Sequence, residues 1–116
     1  MSTDLTQYLE TALWSTTIGD TDTALDRHFD PSDVDEESRG RCQRDLDAFY
    51  KLAGDLLEDD PNHDNWPHDF WLTRTGHGAG FWDGDYVHGD ALTAIAGRFC
   101  PVTLCEHDGN LYLCEG

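Results

Sequence analysis

Along this chain, apolar residues recur at helical spacing in some stretches and alternate in others, and the breaks between them set the expected architecture. Leu5, Tyr8, Leu9, Ala12 and Leu13 mark a short amphipathic helix over residues 4 to about 14. Ser2 or Thr3 can cap it, and Asp4 sits in its first turn, where the helix dipole favours an acid. Trp14, at the end of this helix, is expected to pack into the core. Residues 20–32 lose the period and read as a solvated acidic loop with at most one helical turn around Leu25 and Phe29. From Pro31-Ser32 the pattern returns: a cap, then Asp33, Asp35, Glu36 and Glu37, then a stripe of Cys42, Leu46, Phe49, Ala53 and Leu56 widened by Leu52 and Leu57. A long helix is predicted there. Gly40 and Gly54 each weaken it by roughly 1 kcal/mol relative to Ala, which leaves room for a bend or an early end.

A proline-bounded connector over residues 58–67 leads into the most aromatic part of the chain. In residues 68–83, Phe70, Leu72 and Arg74 alternate with Trp71, Thr73 and Thr75, and Gly76, Gly78 and Gly80 separate them from Phe81, Trp82 and Asp83. This reads as strand, glycine loop, strand. Asp90 can then cap a short helix carrying Leu92, Ile95, Ala96 and Phe99, with Gly97 and Pro101 at its exit. Two alternating runs, 102–107 and 111–114, meet across Asp108-Gly109, a strong hairpin signal. The predicted fold is therefore α+β: N-terminal helices packed on a small antiparallel sheet, in the order helix, long helix, hairpin, short helix, hairpin, with Trp71, Phe81 and Leu104 near the core.

At 116 residues the chain is expected to be one domain, 1–116. A hydrophobic content of 38% with thirteen aromatic residues argues for a folded chain despite the charge. No apolar run approaches the roughly 18 residues of a membrane span, and the polar start lacks a signal-peptide layout, so an intracellular, cytoplasmic setting is expected.

Charge changes this picture most. Asp and Glu number 24 against 7 Lys and Arg, a formal net charge of −17. Such a field repels phosphate backbones and anionic lipid, so direct binding to nucleic acid or membrane is disfavoured. Two readings remain: solubility in a salty cytoplasm, or a surface that occupies a basic groove built for nucleic acid. Arg39, Arg41 and Arg44 lie near Glu37, Asp45 and Asp47 on the long helix, and surface ion pairs are expected for them.

Little in the sequence points to catalysis or cofactors. The spacing of Asp20, Asp22, Asp26 and Asp30 lacks the glycine and closing Glu of a calcium loop. Gly76-His77-Gly78-Ala79-Gly80 lacks the lysine of a phosphate loop and the spacing of a dinucleotide fold. His68, His77, Asp83, Asp85 and His88 offer imidazole and carboxylate for a metal or hydrolytic centre, without a spacing that compels one. Cys42, Cys100, Cys105 and Cys114 show no zinc pattern. Cys105 and Cys114 would face each other across the last hairpin, but reduced thiols are the expected state. No cofactor, metal or catalytic residue is assigned, and the chain is expected not to be an enzyme.

The segment Asp69-Phe70-Trp71-Leu72-Thr73-Arg74-Thr75-Gly76-His77-Gly78-Ala79-Gly80-Phe81-Trp82-Asp83 resembles the signature of a family of small acidic proteins from bacteriophages, prophages and related mobile elements. The likeness extends to Tyr8–Trp14 and Gly89–Thr93, and the cysteines near the C-terminus depart from it. It implies an accessory role inside an infected cell and transfers no catalytic residue. Joined to the charge, it leads to an expected function: binding and inhibition of a host protein with a basic, nucleic-acid-binding surface, as a DNA mimic or anti-defence factor. The candidate contact residues are Asp20, Asp22, Asp26, Asp30, Asp33, Asp35, Glu36 and Glu37, with Trp71, Arg74, His77 and Trp82 on the expected first hairpin. Glu58, Asp59, Asp60 and Asp64 form a second acidic set. The alternative is a small metal-binding or hydrolytic enzyme built on the His and Asp residues of 68–88.

Overall fold

A computed structural model describes residues 2–17, 22–76, 80–83 and 86–115. Helix α1 spans Thr3–Ser15, α2 Glu36–Leu57, α3 Trp66–Thr75 and α4 Gly89–Ala96. Strands β1, Val102–His107, and β2, Asn110–Glu115, close the chain as one antiparallel pair. This is the expected α+β arrangement of helices packed on a small antiparallel sheet.

Local chemistry sets the helix ends. The Ser2 hydroxyl accepts from the Leu5 amide at 3.1 Å and caps α1. Asp35 accepts from the Ser38 amide at 2.7 Å and starts α2, later than the expected Ser32, because Pro31–Asp33 forms its own 3-10 turn. Val34 then points inward and separates the two. α2 runs unbroken through Gly40 and Gly54 and buries Cys42, Leu46, Phe49, Ala53 and Leu57. Leu52 remains exposed, so the stripe is narrower than its sequence suggests.

The central element differs from expectation. Residues 66–75 form helix α3 in place of the first strand, and Phe81–Asp83 is a 3-10 turn in place of the second. Pro67 sits in the first turn of α3, where no backbone donor is needed, with Asp69 near its start and Arg74 near its end. Gly76 closes it in the left-handed conformation, φ 74°, donating to Leu72 and Thr73 carbonyls. Trp66, Phe70, Trp71 and Leu72 are all buried, so α3 has no wide polar face. Such a helix lacks the amphipathic period, and its aromatics favour strands by propensity. That is why the strand reading failed.

α3 packs against α1, α4 and β1, and α1 also touches α2. Phe49 of α2 lies at the centre: its ring stacks on Phe70 at 4.3 Å, Phe81 at 5.5 Å and Trp66 at 5.6 Å. Tyr8 meets the edge of Trp71 at 5.3 Å. Burying each such side chain contributes about 1.5–3 kcal/mol, so this cluster dominates the core. Trp71, Phe81 and Leu104 are buried as expected. At Gly80 an added Cβ would come within 2.1 Å of Thr73 Oγ1, the same oxygen that accepts from the Phe81 amide. Only glycine fits there.

In the hairpin, Leu104 pairs with Leu113 and Cys105 with Tyr112, around a turn at Asp108 and Gly109 with φ 52° and 84°. Val102, Leu104, Leu111 and Leu113 face the core. Cys105 and Cys114 lie diagonally on the other face and are joined as a disulfide, where free thiols were expected. The register brings their Cα atoms to 6.5 Å, within bonding range. Cys42 and Cys100 are free.

Candidate functional site

The acidic tract is ordered by its own hydrogen bonds. Asp30 and Asp33 cap each other reciprocally: the Asp30 carboxylate accepts from the Ser32 amide at 2.8 Å, and Asp33 accepts from the Asp30 amide at 2.8 Å. The Ser32 hydroxyl also donates to Asp30. These donors, the hydroxyl first, hold the Asp30 carboxyl below its ordinary range. One step on, the Asp35 amide donates to the Leu111 carbonyl at 2.9 Å, and Val34 forms a bridge with Leu111. The tract is thereby pinned to the edge of β2. Glu36 and Glu37 project into solvent from the first turn of α2, and Asp22, Asp26, Asp30 and Asp35 are exposed as well, with Asp33 half-buried. Asp20 lies outside the described residues.

A second acidic surface joins α1 to the connector. Two adjoining cavities, about 500 Å³ and 420 Å³, share Asp4, His63 and Trp66. Glu10 and Asp64 line the first, Asp47 and Lys51 the second. Tyr50 Oη lies 3.0 Å from His63 Nε2. Of these acids only Asp64 was a sequence candidate. Asp4 and Glu10 were legible as the polar face of α1, but their approach to residues 63–66 depends on tertiary packing. Asp60, from the same connector, is buried and accepts from the Asn62 and Val87 amides at 2.8 and 2.9 Å. It is a structural tie between two loops and, unlike the expected contact residue, presents no carboxylate to a partner. Glu58 and Asp59 are exposed.

The aromatic candidates part company. Trp71 is buried, with its indole N–H donating to Ser15 Oγ at 2.9 Å, so it presents no contact surface. Arg74 is buried too: it donates to Asp45 at 2.8 Å, to Tyr8 Oη at 3.1 Å and twice to the Cys100 carbonyl. Burial alone would lower its pKa, and Tyr8 and Asp45 more than offset that, leaving it raised. Burial likewise pushes the Tyr8 phenol well above its ordinary value and the Cys42 thiol up to about 12. Trp82 is half exposed, as a contact residue requires. His77 lies outside the described residues. Trp14, expected in the core, is 48% exposed and stacks on His68 at 5.7 Å.

Of His68, His77, Asp83, Asp85 and His88, only His68 and His88 have described side chains, and His68 Nε2 lies 4.0 Å from Asp69 Oδ1. His68 Nδ1 lies 3.0 Å from Thr11 Oγ1. His88 stands at the start of α4. Asp85 and the side chain of Asp83 lie outside the description. Among the described residues no three His, Cys, Asp or Glu side chains could hold a metal ion together. No helix there is long and apolar enough to cross a membrane. The ion pairs expected for Arg39, Arg41 and Arg44 do not form, since the one guanidinium–carboxylate pair among the described residues is Arg74 with Asp45. No family model, curated protein or solved structure matches the chain.

Proposed function

We propose that the protein acts without catalysis, as a phage-type accessory factor that binds a basic, nucleic-acid-binding surface of a host protein and blocks its use. The ordered acidic tract carries this reading: Asp30, Asp33 and Asp35 are fixed by capping bonds beside β2, with Glu36 and Glu37 presented next to them. Fixed carboxylates occupy a phosphate-binding groove at a smaller entropic cost than mobile ones, and complementary charge speeds the encounter. The acidic cavities around Asp4, Glu10 and Asp64 offer a concave place for a basic side chain of the same partner. Resemblance of the 69–83 segment to phage proteins supports the cellular setting.

Affinity capture from bacterial lysate tests this, followed by a salt titration of the complex and competition with duplex DNA. A partner released by moderate salt and displaced by DNA is expected. Retention indifferent to both would remove the mimicry reading and leave the acids as a solubility device.

A further inference from the structure

We propose that the pocket between α2, the end of α3 and the chain leaving α4 binds a small phosphate-bearing molecule, independently of the acidic surfaces. This pocket of about 280 Å³ is lined by Arg41, Arg44, Asp45, Arg74, Arg98, Phe99, Cys100 and Val102. It gathers four of the chain's seven Lys and Arg residues. Asp45 is the single carboxylate in its lining, and it is engaged by Arg74 at 2.8 Å. Arg41, Arg44 and Arg98 form no ion pair among the described residues, although the chain carries 24 acids. Three guanidinium groups with no carboxylate in ion-pair range among the described residues line one concavity and give it a local excess of positive charge.

Arg74 gives the pocket a rigid wall. Its side chain is 2% exposed and is fixed by Asp45, Tyr8 and the Cys100 carbonyl. Arg44 and Arg98 are exposed and free to close on a ligand. Guanidinium forks match phosphate oxygens in pairs, and a phosphate monoester brings about −1.5 to −2 charges where a carboxylate brings one. The size suits one phosphoryl group with a short substituent. A nucleic-acid backbone would have to run against the −17 field, whereas distant acids are screened from a small anion beyond about 8 Å at physiological salt.

Titration of the whole protein with inorganic phosphate at constant ionic strength, followed by nuclear magnetic resonance, tests the site. Saturable shifts are expected at the side-chain Nε–H groups of Arg41, Arg44 and Arg98 and at the Phe99 and Cys100 amides. An R44Q/R98Q double variant, with both changes at exposed positions, should bind phosphate about tenfold more weakly or worse. Absence of saturation, or the same affinity in the variant, would overturn the site. Acetate binding as tightly as phosphate would overturn the ligand class. A second measurement needs no substitution, because Cys100 is an exposed free thiol at the rim. Relative to a cysteine peptide, Cys100 should favour anionic iodoacetate over neutral iodoacetamide, and phosphate should erase that preference. A preference for the neutral reagent would show that the acidic field prevails in the pocket and would overturn the proposal.

Discussion

The aromatic segment 66–83 and the acidic tract 30–37 show opposite fates for residues that look functional. Three Trp, two Phe and an Arg suggest a working surface, yet of these only Trp82 reaches solvent appreciably. Even the charge of Arg74 is turned inward, onto Asp45, Tyr8 and the Cys100 carbonyl. The tract reads in sequence as the end of a solvated acidic loop and the start of a helix, and in the fold Asp30, Asp33 and Asp35 are seated on backbone amides while Glu36 and Glu37 stay turned outward. Side-chain chemistry does not tell which way a residue faces. The decisive difference lies in the partners: aromatic rings find other rings across three helices, whereas short acids find the amide donors at a helix start.

Substitutions can break this contrast, the largest effects being expected in the interior. Phe49→Ala should cost about 3–5 kcal/mol, read as a drop in the urea midpoint, because four aromatic rings lose their common neighbour. Arg74→Met should cost about 2–3 kcal/mol by leaving Asp45, Tyr8 and the Cys100 carbonyl without their donor. A cost near zero would mean that α3 does not depend on its inward charge. pH probes the same interior. The Cys42 thiol ionises near 9.0 when unfolded but only at about 12 in the fold, and Tyr8 is raised in the same direction. The unfolded chain therefore loses these protons first, so the stability these two groups contribute is intact below pH 9 and falls as pH rises from 9 towards 12. The slope is up to ~1.4 kcal/mol per pH unit for each group, and Cys42→Ala should flatten its onset.

On the outer tract the effects are smaller and separate capping from display. Asp35→Ala should cost about 1 kcal/mol by removing the α2 cap. Glu36→Gln with Glu37→Gln should stay within about 0.5 kcal/mol in the same denaturation assay. Equal costs would mean that the tract is structural throughout.

Much of the fold was legible because local rules and tertiary packing agree. The Asp108-Gly109 turn, the Cys42-to-Ala53 stripe and the Ser2 cap each specify their element without help. α3 was not legible from periodicity, since a helix covered on nearly every side has no polar stripe to reveal its period. Its end signals, Pro67, Asp69, Arg74 and Gly76, were nonetheless present and outweigh the strand propensity of its aromatics. For the candidate site, exposure of the tract could be read from its acids. The arginine pocket could not, because it joins residues 41–45, 74 and 98–102, and nothing local indicates that Asp45 goes to Arg74 instead of a neighbour on its own helix.

The central claim is that the exposed carboxylates flanking the capped tract form the binding surface, and one comparison tests it directly. Wild-type protein and a D22N/D26N/E36Q/E37Q variant, which leaves the caps of Asp30, Asp33 and Asp35 intact, are immobilised and challenged with the same bacterial lysate. Wild-type protein should retain a partner that duplex DNA displaces, and the variant, with an unchanged melting temperature, should retain about tenfold less. Equal retention by both proteins, undisturbed by DNA, would contradict it.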